Sequence, residues 1–226
     1  MENISSKLLV CPHCGAKKRV GKSSTSWINL PYTFWSDSRI DCEGWFEPAH
    51  IQQCPECGKF FVISQKTVLQ DEDLPCTETG QLPYPILKKA IEELAGDDFA
   101  EEWARLEIFW TYNRMCQNSE DIPEKEIAYN RANMQWLIDY YTTHSTRFSH
   151  ILFELNRLME NREVCEQMIE ALTFEEYVRQ RNERYREKGI ESKLGEDAIR
   201  DLYNSQIKQL KFALTQPPKT FVISKH

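Results

Sequence analysis

From residue 84 onward the apolar residues recur at helical spacing; before residue 66 they do not. Tyr84 to Ala95 predicts a short helix ended by Gly96, with Asp97 as the N-cap of the next, over about 98–117. In that second helix Phe99, Trp103, Leu106 and Trp110 fall on one stripe, widened by Phe109, Tyr112 and Cys116. Pro123 opens a third helix reaching about Tyr141, with Ile127, Met134, Ile138 and Tyr141 on one face. Phe148 to Met159 and Val164 to Leu172 predict an antiparallel pair, turning at Asn161. Thr173 with Glu176 forms a capping box for a helix to about Lys188, which Gly189 ends. A last helix runs from about Glu196 to Leu214, and Pro217-Pro218 stops it. The tail Thr220 to Ser224 is strand-like, free to fray or to join a sheet.

The first third reads differently. Short apolar runs at Lys7 to Val10, Lys17 to Val20, Ala49 to Gln53 and Lys59 to Ser64 predict strands. Between them, residues 21–47 form an insertion, rich in aromatics and interrupted by Pro31, that predicts strand or ordered loop. Each pair of flanking strands encloses a C-P-x-C-G turn: Cys11-Pro12-His13-Cys14-Gly15 and Cys54-Pro55-Glu56-Cys57-Gly58. A C-x-x-C turn brings two sulfurs to one ion, and its glycine lets backbone amides face them. Cys11, Cys14, Cys54 and Cys57 are therefore the candidate ligands of one structural zinc ion, Zn2+, in a closed four-cysteine site. A three-stranded antiparallel zinc ribbon, with 39 residues separating its two cysteine pairs, is the expected module. Zinc would supply much of its folding energy, on the order of 10 kcal/mol.

The expected fold class is α+β: a small antiparallel β zinc ribbon followed by an all-α antiparallel helical array, tetratricopeptide-like or an irregular bundle. The expected divisions are a ribbon domain at 1–66, a linker at 67–83 marked by Asp71-Glu72-Asp73, Pro75, Gly80 and Pro83, a helical domain at 84–216, and a tail at 217–226.

Composition narrows the functional classes. With 41% hydrophobic residues the 226-residue chain can bury a core, and the net charge of −7 argues against general coating of nucleic acid. The charge is uneven: residues 1–60 carry seven Lys and Arg against six Asp and Glu, the remainder 21 against 29. Only the ribbon could face phosphate, through Lys17, Lys18, Arg19 and Lys22 with nearby Trp27, Tyr32, Trp35 and Trp45. No apolar run is long enough to span a membrane, and no secretory signal precedes the first knuckle. A reducing cytoplasm, in which metal-bound thiolates outlast disulfides, is the expected location.

Other chemistry reads weakly. His13 is expected to face solvent, with Cys42 a small buried residue and His50 outside the metal site. Glu47-Pro48-Ala49-His50 has di-iron spacing, but Pro48 denies it a helix. Gly15 to Ser23 misses phosphate-loop spacing by one residue. The adjacent carboxylates Glu92/Glu93, Glu101/Glu102 and Glu175/Glu176 diverge on their helices and read as solvated faces. Cys76, Cys116 and Cys165 read as linker and core residues, and His144 and His150, which bracket the start of a helix, as hydrogen-bonded surface or core histidines. No catalytic constellation emerges, so the chain reads as non-catalytic: an interaction protein binding a protein or peptide through its helices. A nucleic-acid-binding ribbon and an enzyme with a site between ribbon and helices are the alternatives.

The two knuckles, with Phe34-Trp35-Ser36-Asp37 and Phe109-Trp110-Thr111-Tyr112-Asn113-Arg114, resemble uncharacterised bacterial proteins that join an N-terminal zinc ribbon to a C-terminal tetratricopeptide-like region. The resemblance implies a glycine after Trp-Ser-Asp, where this chain has Ser38, and it implies no reaction.

Overall fold

Each metal-type turn is built on its own antiparallel hairpin. In the computed structural model β1 (Ile4–Val10) pairs with β2 (Lys17–Ser23) in a register running from Ile4↔Ser23 to Val10↔Lys17. After β3 (Tyr32–Trp35) and β4 (Ile40–Cys42), β5 (Ile51–Gln53) pairs with β6 (Phe60–Val62). A short β7 (Val68–Leu69) joins the other side of β1, giving the order β2–β1–β7. The described residues are 4–23, 32–38, 40–42, 50–64, 67–69, 82–118, 121–144, 149–189, 194–220 and 222–225. Trp27, Pro31, Trp45, Glu47 to Ala49, Cys76 and Phe148 lie outside them, as do the linker residues 70–81.

Seven helices follow among the described residues: α1 (Tyr84–Leu94), α2 (Asp98–Asn118), α3 (Glu124–His144), α4 (His150–Leu158), α5 (Arg162–Ala171), α6 (Phe174–Glu187) and α7 (Glu196–Ala213). The chain is α+β as expected. The caps follow local chemistry. Asp97 Oδ1 accepts from Ala100 N at 3.1 Å, and Thr173 accepts from Glu176 N at 3.2 Å. Gly96 and Gly189 take φ of 96° and 64°, in the left-handed region where a side chain is costly. The terminal strand β8 (Val222–Lys225) adds to the second sheet, in the order β4–β3–β8.

Several sequence expectations change. The two knuckles sit on separate sheets rather than on one three-stranded ribbon. On α2, Phe99 is 54% exposed, whereas Ala100, Ala104, Leu106, Ile108 and Phe109 are buried. Small residues at 100 and 104 form the tightly packed face, so the helix is covered on more than one side and the single-stripe reading fails. Ile127 on α3 and Val164 on α5 are exposed, while Met134, Leu137, Ile138, Cys165 and Ile169 are buried. The left-handed turn between α4 and α5 falls on Glu160 (φ 63°), and Asn161 instead ties its side chain to Asn156 Oδ1 at 3.0 Å.

The chain forms two compact units. The first comprises Met1–Phe34, Ile40–Asn133 and Ser224–His226; the second comprises Trp35–Arg39 and Met134–Ile223. In the first, Ile51 and Phe60 of the second hairpin enter one core with Tyr84, Leu87, Ala90 and Ile91 of α1 and Ala104 and Ile108 of α2. A smaller core of Leu9, Cys11, Val20, Cys54 and Phe61 joins the two hairpins. In the second, Phe153, Cys165, Ile169, Leu172, Leu210 and Ala213 pack α4, α5 and α7 together.

Candidate metal centre

The two C-P-x-C-G turns have the same backbone. In the first, Cys11 N donates to Ala16 O at 2.8 Å and Gly15 N to Cys11 O at 2.9 Å. In the second, Cys54 N donates to Lys59 O at 2.9 Å and Gly58 N to Cys54 O at 3.0 Å. Gly15 and Gly58 close the turns at φ of 75° and 73°, where a β-carbon would be strained. The repeated geometry presents two sulfurs per turn toward one point.

The four sulfurs converge. Cys11 Sγ lies 3.8 Å from Cys57 Sγ, and Cys14 Sγ lies 3.6 Å from Cys54 Sγ. All four lie within 4.8 Å of one another. Tetrahedral coordination at a metal–sulfur distance of about 2.3 Å requires sulfur separations of about 3.8 Å, so the cage fits such an ion. Cys11 and Cys54 are buried in the hairpin core, while Cys14 and Cys57 are exposed. The His13 amide donates to Cys11 Sγ at 3.4 Å. These four cysteines can hold a metal ion, and they form the one such cluster among the described residues.

Without a cation the thiols conflict. The Cys57 amide holds the Cys54 thiol down to about 6, helped by the Glu56 amide and the Cys14 and Cys57 thiols and opposed by burial. The Ala16 amide pulls Cys14 down, but burial and the thiols of Cys54, Cys57 and Cys11 together push it up to about 12. Cys57 is also raised: the Lys59 amide lowers it, and burial with the Cys54 and Cys11 thiols overcomes that pull. Four sulfurs this close cannot all ionise alone. A bound divalent cation would remove the conflict, because it favours the thiolate form of its cysteine ligands.

The remaining candidates lie elsewhere. His13 is exposed, and its Nε2 donates to Phe60 O at 3.1 Å. His50 stacks on Trp103 with centroids 3.7 Å apart, and its amide donates to Glu107 Oε1 at 2.9 Å. Cys42 is placed in β4, its partner in register being Tyr32. Lys17, Lys18, Arg19 and Lys22 lie along β2, the outer strand of its sheet. His144 bonds Tyr140 O at 2.9 Å, and Cys165 is a core thiol donating to Phe153 O, as residues of those types were expected to be. Cys116 is exposed rather than part of the core.

Glu92, Glu93 and Glu175 are exposed as expected, but Glu101 is not. Glu101 is buried and binds Arg105 through two hydrogen bonds at 2.7 and 2.8 Å. Glu93 accepts Phe60 N at 3.1 Å. With Glu107, it gives each of α1 and α2 an acceptor for a backbone amide of the second hairpin. Sequence reasoning missed this role because nothing local distinguishes an acid that meets a distant strand from a solvated one.

No protein-family model, no curated protein and no solved structure matches the chain. No helix among the described residues is long and apolar enough to cross a membrane.

Proposed function

We propose that Cys11, Cys14, Cys54 and Cys57 hold one structural zinc ion and that the chain is a non-catalytic interaction protein of the cytoplasm. The observation that carries this reading is the closed set of four converging sulfurs. Four thiolates fill every position of a tetrahedral zinc and leave none for water or substrate. The soft thiolate donor set suits zinc, a borderline-soft ion, and free thiols suit a reducing compartment. The ion's work is mechanical: it clamps the first hairpin to the second, which is packed against α1 and α2. Cys54→Ser should lose the metal and loosen the hairpins, whereas Cys116→Ser, at an exposed thiol on α2, should keep both metal and fold. Equal metal content in the two variants would refute the site.

The interaction is assigned to the helices. A groove of about 570 Å³ between α5, α6 and α7 has an apolar floor that includes Phe174, Tyr203 and Ile207, with Arg162, Glu166 and Lys211 at its rim. That mixture suits a peptide with apolar anchors and polar flanks. Partners retained by the wild-type protein and lost from Ile207→Asp would support the assignment; an unchanged set of partners would count against it.

A second reading has its own support. Lys17, Lys18, Arg19 and Lys22 occupy an outer strand, where a nucleic-acid backbone could reach them. Cationic edge strands also serve simply to block sheet-to-sheet pairing. Salt-sensitive binding of a single-stranded oligonucleotide, lost in Lys17→Ala with Lys18→Ala, separates the two; no binding at low salt removes this reading.

A further inference from the structure

The second unit contains a cavity of about 210 Å³, between α6 and α7, that is lined by three cationic side chains and no carboxylate. Arg181 and Arg184 come from α6, and Lys188 from its C-cap. At spacings of three and four residues they share one face of the helix. Tyr177 and Tyr185 stand on the same face, and Gln206 of α7 closes the wall. In a chain of net charge −7, this concentrates positive charge at one concave place.

Arg181 is held in position. Its Nη2 donates to Tyr185 Oη at 2.6 Å, and its guanidinium lies 4.6 Å from the centroid of that ring. Its Nε is buried and has no hydrogen-bond partner. A buried donor left unmatched is costly, and an oxyanion entering the cavity would supply the missing acceptor. The carboxylate at the other end of this helix face is Glu176, which accepts from Gln180 but is already paired with Arg179 through bonds of 2.6 and 2.7 Å. Basic residues in a last helical turn also offset the helix dipole, which accounts for Arg184 and Arg186 on any face. It does not account for Arg181, a turn earlier, or for the convergence of the three on one cavity.

We propose that this cavity binds a phosphate group, free or as a small phosphate monoester. A dianionic tetrahedral oxyanion matches several cations and the fork of a guanidinium. The volume is many times the roughly 15 Å³ that one water requires, so the site admits a polyatomic anion and part of what it is attached to.

Titration calorimetry on the full chain, at fixed ionic strength in chloride, tests this with inorganic phosphate and with O-phosphoserine. Saturable binding is expected. Arg181→Gln and Lys188→Gln should each weaken it about tenfold or more, as expected for loss of a charge-assisted bond. Lys208→Gln, at an exposed lysine of α7 outside the cavity, should bind as the wild type does. Lys188 is exposed, so its substitution reports on binding without threatening the fold. Tighter binding of O-phosphoserine identifies an esterified ligand, and tighter binding of inorganic phosphate identifies the free ion; either supports the site. Absence of saturable binding to both probes, or unchanged binding in Arg181→Gln and Lys188→Gln, overturns it.

Discussion

His13 Nε2 donates to the carbonyl oxygen of Phe60 at 3.1 Å, tying the loop of the first metal-type turn to the strand that leaves the second. Phe60 is buried among α1 and α2, and its own amide is held by Glu93. The first hairpin is thus linked to the helices through one residue of the second. His13→Ala should lower stability by about 1 kcal/mol, the ordinary contribution of one hydrogen bond, and leave metal content unchanged. Urea denaturation beside metal analysis checks both, and loss of the metal would make His13 a ligand.

Acid and base should act on the metal-free protein in opposite senses at two cysteines. Cys54 is depressed from 9.0 to about 6 in the folded chain. Its contribution to stability is therefore present above pH 9 and is lost as pH falls through 6. Cys14 is raised from 9.0 to about 12, so its contribution is present below pH 9 and is lost as pH rises toward 12. Thiolate absorbance of the metal-free protein should show one group ionising near pH 6, and that step should vanish in Cys54→Ser. Four thiols titrating together near their ordinary value would contradict the geometry.

The buried pair of Glu154 and Arg157 anchors the end of the chain within the second unit. Arg157 Nε meets Glu154 Oε2 at 2.7 Å, and its Nη1 and Nη2 donate to Pro217 O and Lys219 O at 2.7 and 2.8 Å. Ser36 also donates to Glu154, at 2.5 Å. Burial raises the Glu154 carboxyl, against the pull of Arg157. Arg157→Leu should cost about 3–5 kcal/mol, because it leaves a buried charge unmatched. Removing both charges, in Glu154→Leu with Arg157→Leu, should cost less than Arg157→Leu alone. A double-mutant cycle by denaturant unfolding measures the difference.

Much of this architecture was legible because its signals are local. Gly96, Gly189 and the Thr173–Glu176 box act within one helical turn, and the structure places helix ends where they predict. The C-P-x-C-G turns are equally local, so the four sulfurs were legible as one set. What failed depends on distant partners. Phe99 fits the apolar stripe, yet it is exposed because Ala100 and Ala104 make the close packing face of α2. Glu101 looks like a solvent-facing acid until Arg105 meets it, and the strand amides that Glu93 and Glu107 accept from are set only by the fold. The separation of the two knuckles onto different sheets follows from long-range pairing that the strands' own residues do not encode.

Ser38 sits at φ 66°, with its amide closing a turn onto Trp35 O at 3.1 Å. A side chain in this left-handed region is strained. Ser38→Gly should therefore raise stability by about 1 kcal/mol, read as an upward shift in the thermal midpoint. A fall in the midpoint would show that the serine side chain compensates for its backbone.

We infer that four cysteines from two hairpins close around one zinc ion. X-ray absorption at the zinc edge, on protein whose metal content has been quantified, tests it most directly. One zinc per chain is expected, with a single shell of four sulfur neighbours at about 2.3 Å. A shell containing nitrogen or oxygen, or purified protein with reduced cysteines and no bound zinc, would contradict it.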